Sequence, residues 1–367
     1  MADVLIYGDT IRSPELRHEV PVSIPDPFAY AERNGTRYAF VNALEAPRLR
    51  GLDGIALVTL EDLGLDELVE KGLEWQERAR ELVLRGCRRI GLAEAATPGT
   101  FPLDVADFLR QNGIRLRPDH VLFDHRRRVK TTAELAGIRR ANEAVAAALD
   151  ALRARLRQGA GVTCEELRAV AASAIVEAGA VVPELMIVSH GAQTAVGHEL
   201  GYGPILEGEP VIVDLSPVDP ESGCCADVTR TFCVGEPPAE LVEYHRLCVE
   251  ALERALAVVR PGVLGSEPFR VVCEFFGEHG YSTQLSKDPG EVLEDGFFHG
   301  LGHGIGLEVH ESPYLGRNGE EIVAGDVLAV EPGLYRKGLG GVRLEDDVVV
   351  TEGGVQRITE YPYELAP

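Results

Sequence analysis

The sequence predicts an α+β protein in two parts, a smaller α/β layer over residues 1–125 and a larger α+β domain over residues 126–367. Three observations carry that reading. The first part alternates short apolar runs with helical periodicity, the pattern of an α/β layer. From Thr132 the chain reads helix, break, helix, strands. From Ala239 the same order returns, offset by roughly a hundred residues, which predicts a pseudo-symmetric domain whose two sheet halves meet around a shared cleft.

In the first part, Ala39–Val41 and Ile55–Val58 read as strands, Leu65–Leu84 as a helix, and Arg89–Leu92 as a strand. Val105–Gln111 reads as a helix closed by Gly113, and His120–Phe123 as a further strand. No catalytic constellation stands out there. Asp124 and His125, beside three consecutive arginines, read as a solvated domain boundary.

The second part opens on an amphipathic helix, Glu134–Leu156, with Leu135, Ile138, Ala141, Val145, Leu149 and Leu152 on one stripe. Thr163 with Glu166 forms a capping-box signal for a second helix ending at Gly179. Strand-like Leu185–Val188 and a glycine-rich stretch with His198 follow. The second copy has a helix over Ala239–Val259, a break at Arg260-Pro261-Gly262, and a helix from Ser266 to Gly280.

Each copy then carries acids. Val211–Val213 is a β-branched run stopping on Asp214, the turn after it is crowded with Pro, Asp, Ser and Gly, and Asp227–Phe232 returns as a strand. Folding about the point between Pro220 and Glu221 sets Asp214 opposite Asp227, at about 5 Å between Cβ atoms. Two carboxylates so close repel unless one is protonated or a cation lies between them. In the second copy, Val327–Val330 ends on Glu331, and reflection about Gly338 makes Glu331 face Glu345. Between the two hairpins lies HGLGHGIGLEVHE, three histidines among glycines that allow close backbone approach. Four carboxylates and an imidazole suit two harder or borderline divalent cations, Mn²⁺, Co²⁺, Fe²⁺ or Zn²⁺. The lack of thiolates does not describe a structural zinc site.

Composition limits the alternatives. A net charge of −23 leaves no basic face for a nucleic acid. Seven cysteines without a CxxC pair indicate neither a disulfide framework nor a zinc ribbon. Cys224-Cys225 read as small turn-flanking residues. No leader pattern opens the chain and no apolar run reaches membrane length, so the expectation is a cytoplasmic protein without a membrane partner.

VDL followed by ADVTRTF and Gly235, then HGLGHGIGLEVHE, VEPGLY and VRLEDDVVVTEGG, resemble the pita-bread metallopeptidase family over Lys130–Tyr363. The likeness is to its Xaa-Pro dipeptidase (prolidase) and aminopeptidase P branch, and residues 1–125 resemble the smaller creatinase-like domain of these enzymes. The resemblance implies that Asp214 binds one metal ion, His303 and Glu331 the other, and Asp227 and Glu345 bridge both. It implies a bridging hydroxide attacking the carbonyl before proline, with Glu331 moving the proton. His310 would stabilise the oxyanion and His198 line the proline pocket. Arg343 would either hold a substrate carboxylate or brace a ligand. The implied cofactors are two divalent ions, Mn²⁺ or Co²⁺ ahead of Zn²⁺ or Fe²⁺; the implied substrate is a small proline-containing peptide, and the implied assembly a homodimer. Prolidase is favoured over aminopeptidase P by the histidine segment and the compact length. The other readings are a catalytically silent binding module and a metal-free creatinase-like amidinohydrolase, both disfavoured by the intact ligand set. Ser216 stands where the family has glycine, and the Asp214–Asp227 spacing is longer than the family's.

Overall fold

The computed structural model describes residues 2–367. The chain divides into two compact units, one ending at Arg127 and the other running from Arg128 to Pro367.

The first unit is a six-stranded mixed sheet with helices. Its strands are β1 (Val4–Gly8), β2 (Phe28–Arg33), β3 (Thr36–Val41), β4 (Ile55–Thr59), β5 (Glu94–Thr97) and β6 (Arg115–Pro118), in the order β4-β3-β2-β1-β5-β6. β1–β2 and β2–β3 pair antiparallel, while β3–β4, β1–β5 and β5–β6 pair parallel. Both faces are covered by apolar side chains, Leu5, Phe40 and Leu109 in one cluster and Ile6, Tyr30 and Leu49 in the other.

Three expectations for this unit need correction. His120–Phe123 begins a helix, His120–Arg128, rather than a strand. Asp119 sets this locally, because its carboxylate accepts the backbone N–H of Leu122 at 3.1 Å in the manner of an N-cap. Arg89–Leu92 is no strand either, since the helix Trp75–Ile90 continues until Gly91 closes it at φ 67°. The strand of that region is β5, whose Glu-Ala-Ala-Thr sequence carries little β signal. The single helix expected over Leu65–Leu84 is split into Leu65–Glu70 and Trp75–Ile90, with Gly72 between them at φ 70°.

In the second unit two helix pairs alternate with strands. Helices Thr132–Leu156 and Cys164–Glu177 precede β7 (Ile187–His190), β8 (Pro210–Leu215) and β9 (Val228–Cys233). Helices Ala239–Val258 and Ser266–Glu278 precede β10 (Gly302–Gly304), β11 (Glu311–Leu315), β12 (Val327–Val330), β13 (Gly333–Arg336), β14 (Gly340–Arg343), β15 (Asp346–Thr351) and β16 (Gly354–Arg357). The first helix is fixed at its start by a reciprocal cap, Thr131 accepting the Glu134 N–H and Glu134 accepting the Thr131 N–H. The expected box at Thr163 is only half made, with Thr163 accepting the Glu166 N–H.

Each helix pair covers one set of strands. Leu149, Leu152 and Leu167 pack on Val211, Val213 and Phe232. Leu247, Leu252 and Phe276 pack on Leu328, Val330 and Val348. The strands are ordered β7-β8-β9 in one sheet and β11-β10-β12-β15-β16 in another, with β13-β14 a separate hairpin. Strand alternation then dictates what faces the other way. With Val211, Val213 and Leu215 against helices, Ile212 and Asp214 lie on the opposite face of β8. With Leu328 and Val330 in the core, Ala329 and its register partners His303 and Asp347 share the opposite face of the larger sheet.

Candidate metal centre

β8 and β9 pair with Asp214 opposite Thr229, not opposite Asp227 as the sequence predicts. The turn accounts for the slip. Asp219 accepts both the backbone N–H and the hydroxyl of Ser222, Gly223 takes φ 81°, and the Asp219 N–H donates to the Cys224 carbonyl. These bonds centre the turn one residue later than the midpoint used in the expectation. A one-residue shift of the midpoint moves the pairing by two residues and preserves the face, so Asp214 and Asp227 still project together. The second hairpin follows the expected register: Gly333 pairs with Arg343 and Val330 with Asp346, which sets Glu331 across from Glu345.

The acids of both hairpins come together. Oxygens of Asp214, Asp227 and Glu345 lie within 4.8 Å of one another, as do donor atoms of His303, Glu331 and Glu345, and of Asp227, His303 and His310. His310 thus joins a donor set, a placement the sequence did not predict. These residues, with His198 and Arg343, line one cavity of about 410 Å³. The eight residues given a site role from the sequence, Asp214, Asp227, His303, Glu331, Glu345, His198, His310 and Arg343, all line this cavity.

Histidine 303 sits on β10 between two glycines that permit close approach. A Cβ on Gly302 would lie 2.1 Å from the Ala329 carbonyl oxygen, and one on Gly304 would lie 2.4 Å from that of Ser312. The β10–β11 pairing shifts register between Gly302 and Gly304. Residues 305–310 leave strand geometry as they connect β10 to β11, so the parity of a regular strand does not hold across them and the His303 and His310 rings meet edge to face at 4.2 Å.

The electrostatics are those of a cation site. Burial, then the charges of Glu345 and Asp214, lifts the Asp227 carboxyl well above the usual range. Burial, then Glu331 and Asp214, does the same to Glu345. Burial raises Glu331 to about 7. The His303 ring is pushed down to about 4 by burial and by His310, so it is neutral near neutral pH. Its Nδ1 lies 3.2 Å from the Gly304 carbonyl and carries the proton by that partnership, leaving the Nε2 lone pair 3.8 Å from oxygens of both Asp227 and Glu331. A lone pair facing carboxylates repels them, and a divalent cation removes that repulsion. The residues present therefore fit such an ion, and the oxygen-rich set with one imidazole suits a hard or borderline metal.

Arg343 is 4% exposed. It pairs with Asp214 through Nη2, and it donates to Tyr335 Oη and Thr229 Oγ1, each at 3.3 Å. Thr229 in turn donates to Glu345 at 2.7 Å. His198 lies exposed on the loop at the cavity rim.

Residues 136–352, more than half of the chain, match the model of metallopeptidase family M24. This chain belongs to metallopeptidase family M24. Over 181 residues it is 35% identical to the Xaa-Pro dipeptidase of Pyrococcus furiosus, a match covering 49% of this chain and 48% of that protein. The chain spans about half the length of the curated relatives it matches first. Among solved structures, an Xaa-Pro dipeptidase from Bacillus anthracis superposes with TM-score 0.82 at 24% identity, covering 100% of this chain and 94% of that one. An X-Pro aminopeptidase from Thermotoga maritima MSB8 superposes with TM-score 0.81 at 23% identity, covering 99% and 97%. These two likenesses concern the fold, the pita-bread α+β architecture expected from the sequence.

Within the family fold, the structure adds residues to the site that the sequence left without a role. His299 has its Nδ1 2.7 Å from the Gly300 carbonyl and its Nε2 2.9 Å from Tyr335 Oη. With the proton on Nδ1, the tyrosine hydroxyl donates to Nε2. Burial, then Arg343, pushes this ring down to about 3. Phe298, whose ring centroid is 4.7 Å from that of Tyr335, and Tyr314 supply apolar lining. The VEPGLY segment contained Tyr335, but nothing in its spacing pointed to an arginine eight positions on.

Proposed function

We propose that this protein is a metal-dependent peptidase that hydrolyses the bond preceding proline in short peptides, with dipeptides favoured over longer chains. Two divalent cations, Mn²⁺ or Co²⁺ in preference to Zn²⁺ or Fe²⁺, would be held by Asp214, Asp227, His303, Glu331 and Glu345. The observation that carries the reading is the overlap of the three donor sets in one cavity, in which Asp227, His303 and Glu345 each belong to two. Of these three, Asp227 and Glu345 have two carboxylate oxygens each and so could bridge, whereas His303 has one free lone pair and would serve a single ion. The dipeptide preference draws support from relatives at 33–35% identity that are named Xaa-Pro dipeptidases.

Bound cations would polarise the scissile carbonyl and lower the pKa of a water at the site. The protein's own groups do the rest. Glu331, a carboxylate lining the cavity beside the ion it would hold, is suited to take a proton from the attacking water and return it to the departing nitrogen. His310, also pushed down by burial, is neutral and can donate an N–H to the developing oxyanion. Arg343 braces Asp214, and its engagement with Tyr335 and Thr229 supports bracing over capture of a substrate carboxylate. His198, Phe298 and Tyr314 line the part of the cavity that would receive the pyrrolidine ring.

The test is a paired assay on protein loaded with Mn²⁺ or Co²⁺, using Ala-Pro and a tripeptide with proline second. Faster turnover of Ala-Pro is the expected result. Cleavage of neither peptide with either metal would overturn the proposal.

A further inference from the structure

We infer that Asp347, held by Asn142, is a positioning residue that fixes the backbone at Asp227 and thereby sets the affinity of the site for cations. The inference rests on the metal-site reading above. Asp347 is 0% exposed and lies two residues past Glu345, on the face of β15 that it shares with Ala329. One of its oxygens accepts the backbone N–H of Asp227 at 3.1 Å and the Nδ2–H of Asn142 at 2.8 Å. Asp227 precedes β9, whose ladder with β8 begins at Val228, so this side chain takes the place of a strand partner for its N–H.

A closed ring of bonds stiffens the carboxylate. The Asp347 N–H donates to Thr359 Oγ1 at 2.9 Å, the Thr359 hydroxyl donates to Asn142 Oδ1 at 2.7 Å, and Asn142 Nδ2 returns to Asp347. The ring ties β15, the first helix of the unit and the segment after β16 to the one backbone group that orients Asp227. Because Asp227 is common to two donor sets, a shift there loosens both at once. The contact to Asp227 is made through Oδ2 alone, since Asp347 Oδ1 is buried with no hydrogen-bond partner among the described residues, so a single acceptor oxygen at this position is what the positioning requires.

The test measures Mn²⁺ affinity by calorimetry on the full chain, alongside the unfolding midpoint of the metal-free protein. Asp347→Ala is expected to bind Mn²⁺ about 10–100-fold more weakly, the range for loss of a group that orients a ligand. Asp347→Asn keeps an acceptor oxygen and is expected to recover most of the affinity, while Asn142→Ala is expected to fall between. A purely structural role would lower the unfolding midpoint in Asp347→Ala and Asn142→Ala and leave affinity per folded molecule unchanged. Wild-type affinity in Asp347→Ala, or an Asp347→Asn variant as weak as Asp347→Ala, overturns the inference. If Asp347→Ala does not fold, Asn142→Ala decides, and wild-type affinity there overturns it equally. Asp227→Ala is the control: if it retains Mn²⁺ the metal-site reading itself fails, whereas its loss beside an unaffected Asp347→Ala sinks this inference alone.

Discussion

Asp227 and Glu345 are buried acids of like charge whose carboxyls burial lifts well above the ordinary range. Left alone they would hold protons, and at the proposed site, where each shares a donor group with His303, a cation would replace those protons. At this scale the account makes two predictions. Asp227→Ala or Glu345→Ala is expected to lose bound metal and peptidase activity together, read by metal analysis and by Ala-Pro hydrolysis; an active, metal-loaded variant would remove that residue from the ligand set. His310→Ala is expected to lower kcat by about 10²–10³ as an oxyanion donor does, with metal content near wild type. Its membership in a donor set with Asp227 and His303 gives the alternative outcome a clear form, since loss of metal would make His310 a ligand.

Among elements, the hairpins and the glycine-flanked strand hold the site together. Gly302→Ala is expected to destabilise the protein by at least about 1–3 kcal/mol, because the new methyl meets the Ala329 carbonyl across the β10–β12 pair. Thermal unfolding of the metal-free variant checks this, and an unchanged midpoint would contradict the packing described. How much was legible beforehand also belongs here. The acidic hairpins were readable because a period of two keeps face assignments even when the register slips, as it did at Asp219–Gly223. His303 was readable for its glycine setting. The Arg343–Tyr335–His299 chain and the Asp347–Asn142–Thr359 ring were not, because their members meet only through tertiary contacts across different elements. The first unit was harder for a related reason. β5 carries alanines in place of a β-branched run, while the apolar start of the His120 helix mimics a strand, and only the Asp119 cap decides it.

For the whole molecule, the buried acids link stability to pH. Burial raises Glu331 and Asp347 to about 7, and Asp227 and Glu345 are raised as well. A carboxyl raised in the folded state contributes stability that is complete below its unfolded pKa and lost as pH rises through the folded value. The metal-free protein is therefore expected to unfold at progressively lower temperature from about pH 5 to about pH 8, and saturating Mn²⁺ to reverse the trend. A flat profile without metal would contradict the electrostatics of the site. Among the described residues no helix is long and apolar enough to cross a membrane.

The most direct test counts metal. Protein stripped of metal, equilibrated with Mn²⁺ and freed of excess is expected to retain about two ions per chain, the number a bridged dinuclear site holds. Asp227→Ala treated in parallel is expected to retain fewer. No ions retained by the folded wild-type chain, or equal retention in the variant, would contradict the account.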